Sequence, residues 1–317
     1  MRNPTAQGVD NAAAAIAAVL PPTPLLDIEI GGVTVFAKAE SLQPVGAFKI
    51  RGAWHRLSSM TKTERALGVV AFSSGNHAQG IAWAARRLGI VAIIVMPKDA
   101  PTAKIKGTRA LGADIVLYDR RTESREAIAS DLAAKRGATL VPSFDDPWIV
   151  EGQGSAGIEA INQLAARGLP SPDLVVACCG GGGLAAGLSL ACPDARIIVV
   201  EPSGWDDMTR SLALGQIVPV MENPPVTRCD ALQTLRVSDL TFGILKAHGA
   251  TGVAVTEAEV EDAIRFAFAN LRVVLEPGGA VALAALLSGK VTPTSRTLIT
   301  LSGGNIDAAD FAAILAR

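Results

Sequence analysis

Short β-branched runs alternate with amphipathic helical stretches along most of this chain, and this rhythm constrains its fold more than any other feature. Strands are expected at 69–72, 91–96, 115–117, 140–141, 174–178, 197–200 and 297–301. Strands that are joined through helices pair in parallel, so the pattern predicts an α/β fold with two open, mostly parallel sheets. Such sheets bind ligands at the carboxyl ends of their strands, and we expect the site residues there.

Two further segments bear on how the chain is organised. Residues 12–20 are apolar, but Asp10 precedes them and the basic flank of a signal peptide is weak. An opening helix is expected instead, with Asp10 or Asn11 capping its first turn. The acidic break at 145–147 can carry the chain between two domains.

The balance of charge and the cysteine pattern exclude several classes of protein. The 317 residues carry 29 Lys and Arg against 30 Asp and Glu, so nucleic acid and anionic membranes are not expected partners. No apolar run approaches the roughly 18 residues of a membrane span. The four cysteines form neither a disulfide framework nor a CxxC pair, which favours small buried residues in a reducing compartment. A soluble, cytoplasmic protein is expected.

Four consecutive glycines, Gly180, Gly181, Gly182 and Gly183, are the strongest local signal. They follow an expected strand and precede an expected helix, where backbone N–H groups without neighbouring Cβ atoms can converge on an anion. Neither Lys-Ser nor Lys-Thr follows, so the run is not a P-loop, and as a dinucleotide fingerprint it is weak. A bound phosphate is predicted.

Three other motifs carry reactive or polar groups. Lys49 stands between Phe48 and Ile50 where a helix should begin, and partial burial there would lower the pKa of its amine, as a Schiff-base nucleophile requires. The run at 73–77, Ser-Ser-Gly-Asn-His, places hydroxyls, an amide and N–H groups at a helix start, which suits a carboxylate. Ser302 begins a Ser-Gly-Gly-Asn turn after the last strand.

In this order and at these separations, the segments QPVGAFKIRGA, SSGNHAQG, CGGGGLAAG and LSGGN resemble the fold type II pyridoxal-5′-phosphate (PLP) enzymes of the threonine dehydratase and serine racemase group. The resemblance covers nearly the whole chain. It implies the tryptophan synthase β-like fold, with a large PLP-binding domain at 1–66 and 145–317 and a small substrate-binding domain at 67–144. It also implies a homo-oligomer, a dimer in this family.

The resemblance assigns cofactor roles to four of these residues. Lys49 holds PLP as a Schiff base and, once a substrate amine has displaced it, removes the Cα proton. Phe48 packs near the ring, and Asn76 bonds the phenolic oxygen. Ser302 is the partner of the pyridine nitrogen, and because a hydroxyl donates without protonating that nitrogen, elimination is favoured over transamination.

Further contacts follow from the same resemblance. The four glycines together with Leu184 correspond to the phosphate loop, and Glu276 lies near the cofactor. The residues expected to hold the substrate carboxylate are Ser73, Ser74, Asn76 and His77.

The expected reaction is β-elimination, which converts L-threonine or L-serine to a 2-oxo acid and ammonia. Ser74 keeps two alternatives open, because serine racemases and 3-hydroxyaspartate dehydratases also have serine there, and it can act as an acid on the face opposite the lysine. Arg125 can approach a distal carboxylate, as in the racemase-like subgroup, or pair with a charged residue three or four positions away. The preferred substrate stays open.

Glu201 and Asp207, with the main-chain oxygen of Trp205, resemble the divalent-metal site of racemase-like members, and such oxygen ligands suit Mg²⁺, Ca²⁺ or Mn²⁺. Ala231 departs from the pattern, since relatives commonly have Gly there. A different class of function, a nucleotide-binding oxidoreductase built on the glycine run, would leave Lys49 and Ser302 unexplained.

Overall fold

The computed structural model describes residues 2–73, 75–100 and 102–317, and at position 103 the backbone alone. The strands are β1 Leu25–Ile30, β2 Val33–Lys38, β3 Val69–Phe72, β4 Ala92–Pro97, β5 Asp114–Tyr118, β6 Thr139–Leu140, β7 Leu174–Cys178, β8 Arg196–Pro202, β9 Thr251–Val255 and β10 Thr297–Thr300. The helices are α1 Ala6–Ala17, α2 Lys49–Ser58, α3 Lys62–Leu67, α4 Asn76–Leu88, α5 Thr102–Ala110, α6 Arg125–Arg136, α7 Pro147–Ala166, α8 Gly183–Ala191, α9 Asp207–Leu214, α10 Asp239–Ala247, α11 Glu257–Phe266, α12 Pro277–Leu287 and α13 Ala308–Leu315. Every expected strand is present, and the α/β prediction is confirmed.

The larger sheet has six strands in the order β1-β2-β10-β7-β8-β9. Its pairings are parallel except for β1 with β2, which form an antiparallel hairpin at one edge. The hairpin was not among the sequence predictions. Its turn is Gly31–Gly32, both with positive φ, which is the backbone that a two-residue hairpin turn requires.

The smaller sheet has four parallel strands in the order β5-β4-β3-β6, all drawn from residues 69–140. The expected small domain at 67–144 contains these strands, but its boundaries stay a prediction. Helices cover both sheets, and the strands β4 and β7 are buried along their whole length. Of the helices that the structure describes, none is long and apolar enough to cross a bilayer.

Helix α7 packs against α8 without side chains between the two backbones. A Cβ atom on Gly154 would lie 2.5 Å from the Gly187 oxygen, so both positions need glycine. Helix α7 starts at the expected acidic break, where Asp146 accepts hydrogen bonds from the backbone N–H groups of Trp148 and Ile149.

Three helix ends differ from the sequence predictions. The opening helix starts at Ala6, and Thr5 caps it by accepting from the Gly8 N–H at 3.0 Å, so the prediction of Asp10 or Asn11 as the cap is wrong. The sequence pattern also predicts a helix at about 123–136, but this helix starts at Arg125, because Ser124 accepts from the Ala127 N–H. The capping box of Thr256 and Glu259 predicts a helix to about residue 270, but α11 loses α-helical pairing after Phe266 and ends in a π-helical turn.

A buried ion network surrounds helix α2. Arg51 makes a bidentate pair with Glu40, with both N···O distances 2.7 Å, and reaches Glu159 at 3.0 Å. Lys38 is paired with the same Glu159 at 2.5 Å. Arg51 and Glu40 are almost fully buried, so their charges would be costly if they were unpaired. The network holds two positive and two negative side chains, and its net charge is therefore zero.

Candidate active site

A cleft opens at the carboxyl ends of strands from both sheets, and most of the sequence-predicted residues line it. Those that line it are Phe48, Lys49, Ser73, Asn76, His77, Arg125, Gly180, Gly181, Gly182, Gly183, Leu184, Glu276 and Ser302. Ser74 lies outside the described residues. The cleft is thus where strand-end loops of a parallel sheet are expected to place a site.

Lys49 is the first residue of helix α2, and its side chain extends into the cleft. Its Nζ donates to the Ser143 carbonyl at 2.9 Å and lies 5.1 Å from the centre of the Phe48 ring. Burial lowers the pKa of this amine to about 8. About a tenth of such an amine is neutral at pH 7, far more than at the ordinary lysine pKa, and the neutral amine is the nucleophilic and basic form.

Backbone contacts fix the turn that carries Lys49. The Phe48 N–H donates to the Ser302 carbonyl at 3.1 Å, and the Gly52 N–H donates to the side chain of Gln153 at 3.1 Å. A Cβ on Gly80 of helix α4 would lie 3.1 Å from the Lys49 carbonyl carbon, so α2 and α4 are in close contact at this point.

The glycine loop joins β7 to α8 as expected. Gly182 has a left-handed φ of 84°, and the helix that begins at Gly183 has no side-chain cap, so its first N–H groups are open to an anion. A Cβ on Gly181 would overlap the ring of Phe144. The loop needs its glycines because the aromatic ring lies directly on its backbone.

Asn76 belongs to a chain of polar contacts that links both sheet regions. Its amide nitrogen donates to Glu276, and its amide oxygen accepts from Asn305 at 2.8 Å. Lys104 of helix α5 donates to Asp230 at 2.7 Å and lies 3.5 Å from Glu276. Burial lowers the pKa of Lys104, but the two carboxylates outweigh it and raise that pKa overall, while burial raises the pKa of Glu276.

His77 and Ser73 already have partners within the fold. The His77 Nε2 is 3.0 Å from the Val141 carbonyl, while its buried Nδ1 has no hydrogen-bond partner among the described residues. Burial and then the charge of Lys49 lower the pKa of His77 to about 3, so the ring is neutral and Nε2 donates. The Ser73 hydroxyl accepts from the Gly75 N–H at 3.1 Å.

Arg125 is the first residue of helix α6 and reaches the cleft. Its guanidinium lies 5.5 Å from the centre of the Phe72 ring and pairs with Glu126 at 2.8 Å. The expected pairing three or four residues away is wrong, because the partner is the next residue. The Phe72 contact brings the cation to the side of the cleft formed by the smaller sheet.

Ser302 follows β10 and lies beside the end of β7. Its hydroxyl oxygen accepts a hydrogen bond from the Cys178 thiol at 3.2 Å. Among the described residues all four cysteines are free and buried, as expected. Burial raises the pKa of the Cys178 thiol to about 11.

Glu201 and Asp207 are buried neighbours away from this cleft. Glu201 accepts from the N–H groups of Met208 and Thr209 at 3.1 and 2.7 Å, and Asp207 accepts from the Val237 N–H at 2.9 Å. In the part of the chain that the structure describes, no cluster of three or more His, Cys, Asp or Glu side chains could hold a metal. The predicted metal site has no support beyond this carboxylate pair.

Sequence reasoning missed several residues of the cleft: Lys104, Ser143, Phe144, Cys178, Asp230, Leu232, Thr234 and Gly278. Ser143 and Phe144 follow the carboxyl end of β6, where parallel sheets bind ligands, so this position could have identified them. Ala231, which was noted only as a departure, lines the cleft without a positive φ, so its 3₁₀ turn accommodates alanine without strain.

The fold and this cleft define a PLP-dependent enzyme. The chain belongs to the family described as pyridoxal-phosphate dependent enzymes, whose model matches residues 16–303. It is 43% identical over 295 residues to the L-threo-3-hydroxyaspartate ammonia-lyase of a Pseudomonas species, covering 92% of this chain and 90% of the relative. It is 37% identical over 288 residues to the serine racemase of Schizosaccharomyces pombe, covering 89% and 87%.

This chain is also similar in fold to a solved structure of a related enzyme. The T.th. threonine deaminase superposes with a TM-score of 0.88 at 39% identity, covering 96% of this chain and 99% of that one. The resemblance to threonine dehydratases and serine racemases is thereby confirmed, and the dinucleotide interpretation of the glycine run is set aside.

The cleft fits PLP on two structural grounds. A loop without side chains at an uncapped helix start leaves its backbone N–H groups open to the phosphate, and a Cβ on Gly181 would collide with the Phe144 ring that packs on the loop. The amine of Lys49 extends into the same cleft with a lowered pKa, which suits a Schiff base with the aldehyde.

Gly181→Ala is expected to weaken PLP binding about tenfold or more, because the added methyl overlaps the Phe144 ring and overpacking costs about 1–3 kcal/mol. Equilibrium titration of apoprotein with PLP measures the effect. Gly243→Ala in helix α10 is the control, since no atom lies within 4 Å of its added methyl, and it should bind PLP as the wild type does. Equal affinity of the two variants would contradict the placement of the phosphate.

Proposed function

We propose that this protein is a PLP-dependent ammonia-lyase, which converts L-threonine or L-serine to a 2-oxo acid and ammonia by β-elimination. The observation that carries the proposal is the amine of Lys49, which shares one cleft with the glycine loop and Ser302 and has a pKa lowered to about 8. When bound, PLP supplies an aldehyde for the substrate amine and a ring that withdraws electrons from Cα.

Two groups of this chain account for elimination. The neutral amine of Lys49 serves as the base that takes the Cα proton. The Ser302 hydroxyl, rather than a carboxylate, is the polar group available to the ring nitrogen, which supports elimination over transamination. The β-hydroxyl leaves as water, which balances the proton taken from Cα, and hydrolysis of the released enamine by another water gives the 2-oxo acid and ammonia.

The α-carboxylate of the substrate is assigned to the start of helix α4. The positive end of this helix lies at Asn76 and His77, where the structure has no side-chain cap, and it favours an anion. Ser73 adds a hydroxyl at the edge of the cleft. Ser74 keeps its proposed role as an acid on the opposite face, which makes serine racemisation the alternative activity.

A second substrate, L-threo-3-hydroxyaspartate, is favoured by one observation, the guanidinium of Arg125 on the lining of the cleft. Its exposed pairing with Glu126 is weak enough to yield to a distal carboxylate of the substrate.

A substrate panel with purified holoenzyme tests these assignments. We expect 2-oxo acid from L-threonine or L-serine, and Arg125→Gln should leave kcat/KM for these neutral substrates within about twofold. If 3-hydroxyaspartate is a substrate, the same variant should lower its kcat/KM about tenfold or more, because a charge-assisted hydrogen bond is lost. Glu126→Gln is the control, since it removes the partner of Arg125 but not the cation. A panel without 2-oxo acid would contradict the proposal, and D-serine as the main product would favour racemase.

The resemblance also supports a cation at Glu201 and Asp207. Burial raises the pKa of Glu201 to about 8 and that of Asp207 to about 6, and a bound Mg²⁺, Ca²⁺ or Mn²⁺ would offset this cost with the main-chain oxygen of Trp205 as a further ligand. The same resemblance supports a cytoplasmic location and a homodimer. Gel filtration of the purified protein would test the homodimer.

Removal of this cation is expected to lower Tm by about 2–4 °C, because a metal that binds only the folded state stabilises it by mass action. Thermal unfolding with a chelator, and after adding back Mg²⁺ or Mn²⁺, measures the shift. Glu201→Ala should abolish the response to metal, whereas Glu222→Ala, at an exposed position, should keep it. A wild type that does not respond to either treatment would remove this site from the account.

A further inference from the structure

Cys178 and Ser302 are brought together by two neighbouring parallel strands. Strand β7 ends at Cys178, and β10 pairs with β7 so that Ile299 is opposite Val176. Their carboxyl ends therefore place Cys178 beside Ser302 at the edge of the sheet, with the sulfur 3.2 Å from the hydroxyl oxygen. Both residues line the cleft.

The direction of this hydrogen bond determines where the Ser302 proton points. Burial keeps the thiol protonated, with a pKa of about 11, and oxygen is a better acceptor than thiol sulfur, so the S–H donates to the hydroxyl. Among the described residues the Ser302 hydroxyl makes no other side-chain hydrogen bond. Its own proton therefore has no acceptor among the residues that the structure describes.

We propose that Cys178 is a positioning residue, which orients the Ser302 hydroxyl so that its proton is available to an acceptor in the cleft, the ring nitrogen of PLP. A hydroxyl can rotate among several positions, and a fixed partner on one lone pair reduces that freedom before the cofactor binds. The inference rests on the proposed function only for the pairing of Ser302 with the ring nitrogen. It gives Cys178 a role that neither a buried apolar residue nor a redox-active thiol would have.

The test compares two cofactors in apoproteins of the wild type, Cys178→Ala and Cys178→Ser. The cofactors are PLP and 1-deaza-PLP, in which a carbon replaces the ring nitrogen. Cys178→Ala should weaken PLP binding by about two- to tenfold, the range for one net hydrogen bond, and should bind the deaza analogue as the wild type does. Cys178→Ser keeps a donor at this position and should restore PLP affinity to within about twofold.

Cys192→Ala is the matched control, because this thiol is also buried but lies among apolar groups of α7 and α8. It should change the affinity for neither cofactor. Equal weakening of both cofactors by Cys178→Ala, or unchanged PLP affinity, would overturn the proposal. If Cys178→Ala does not fold, Cys178→Val provides the same comparison without a donor.

No amino-acid substrate enters these titrations. A protein that binds PLP as expected here but forms no 2-oxo acid would contradict the proposed function and leave the role of Cys178 intact. Conversely, an active lyase in which Cys178→Ala binds both cofactors normally would contradict only the positioning role.

Discussion

Lys49→Ala is expected to lower turnover by at least about a thousandfold, because the change removes the general base and the Schiff-base partner of PLP together. Lys49 is at the start of α2 with its amine inside the cleft, beside the Phe48 ring. The measurement is the steady-state rate of 2-oxo acid formation by the purified variant with excess PLP. Lys62→Ala, at an exposed helix start, is the control and should keep wild-type activity.

Chemical trapping distinguishes loss of the reactive amine from misfolding. Borohydride reduction of the wild type, followed by peptide mapping, should place the pyridoxyl group on Lys49. The variant should give an unchanged circular dichroism spectrum and no such label. A wild-type label on Lys104, the other lysine lining the cleft among the described residues, would show that the reactive amine has been assigned to the wrong helix.

Glu40→Gln is expected to destabilise the fold by about 3–5 kcal/mol, because it leaves the buried guanidinium of Arg51 with reduced compensation. Chemical denaturation of the variant and the wild type measures the change. Asp27→Asn is the matched control: Asp27 forms the same bidentate geometry with Arg167 at the surface, where a pair is worth about 0–1 kcal/mol. Similar losses of unfolding free energy in the two variants would contradict the claim that burial makes the pair of Glu40 and Arg51 matter more than a surface pair.

The same pair makes a prediction for acid stability. Burial tends to raise the pKa of Glu40, but Arg51 reverses this and holds it below its ordinary value. A carboxyl whose pKa is lower in the folded state stabilises the fold above its unfolded pKa, and this contribution is lost as the pH falls through the folded value. The wild type should therefore lose stability below about pH 4.5 more steeply than Glu40→Gln does.

Much of the fold was predictable because helices and parallel strands have different hydrophobic periods. The run from Val69 to Phe72 and the run from Leu174 to Cys178 have the expected bounds. The edge hairpin β1–β2 was missed because its pairing depends on a turn at Gly31–Gly32, outside the βαβ rhythm. Capping propensity alone could not identify the residue that caps α1. Thr5, Asp10 and Asn11 are all good capping residues, and only the backbone geometry selects Thr5.

The candidate site was predictable where chemistry and chain position coincide. Lys49, the glycine loop and Ser302 each follow a strand or begin a helix, so their convergence follows from the topology. The contact between Lys104 and Asp230 joins residues 126 positions apart, and no local pattern indicates it. The pairing of Arg125 three or four residues away was a wrong prediction because positions 121, 122, 128 and 129 hold no carboxylate, and the guanidinium pairs with the adjacent Glu126.

The central claim is that the chain eliminates the β-hydroxyl of an amino acid with Lys49 as the base, and the ratio of two products tests it most directly. Holoenzyme is incubated with L-threonine, L-serine or L-threo-3-hydroxyaspartate, and 2-oxo acid and ammonia are both quantified. Elimination predicts equal amounts of the two over many turnovers, with no product from Lys49→Ala. A 2-oxo acid formed without ammonia would indicate that the amino group stays on the cofactor, as in transamination, and would contradict the account.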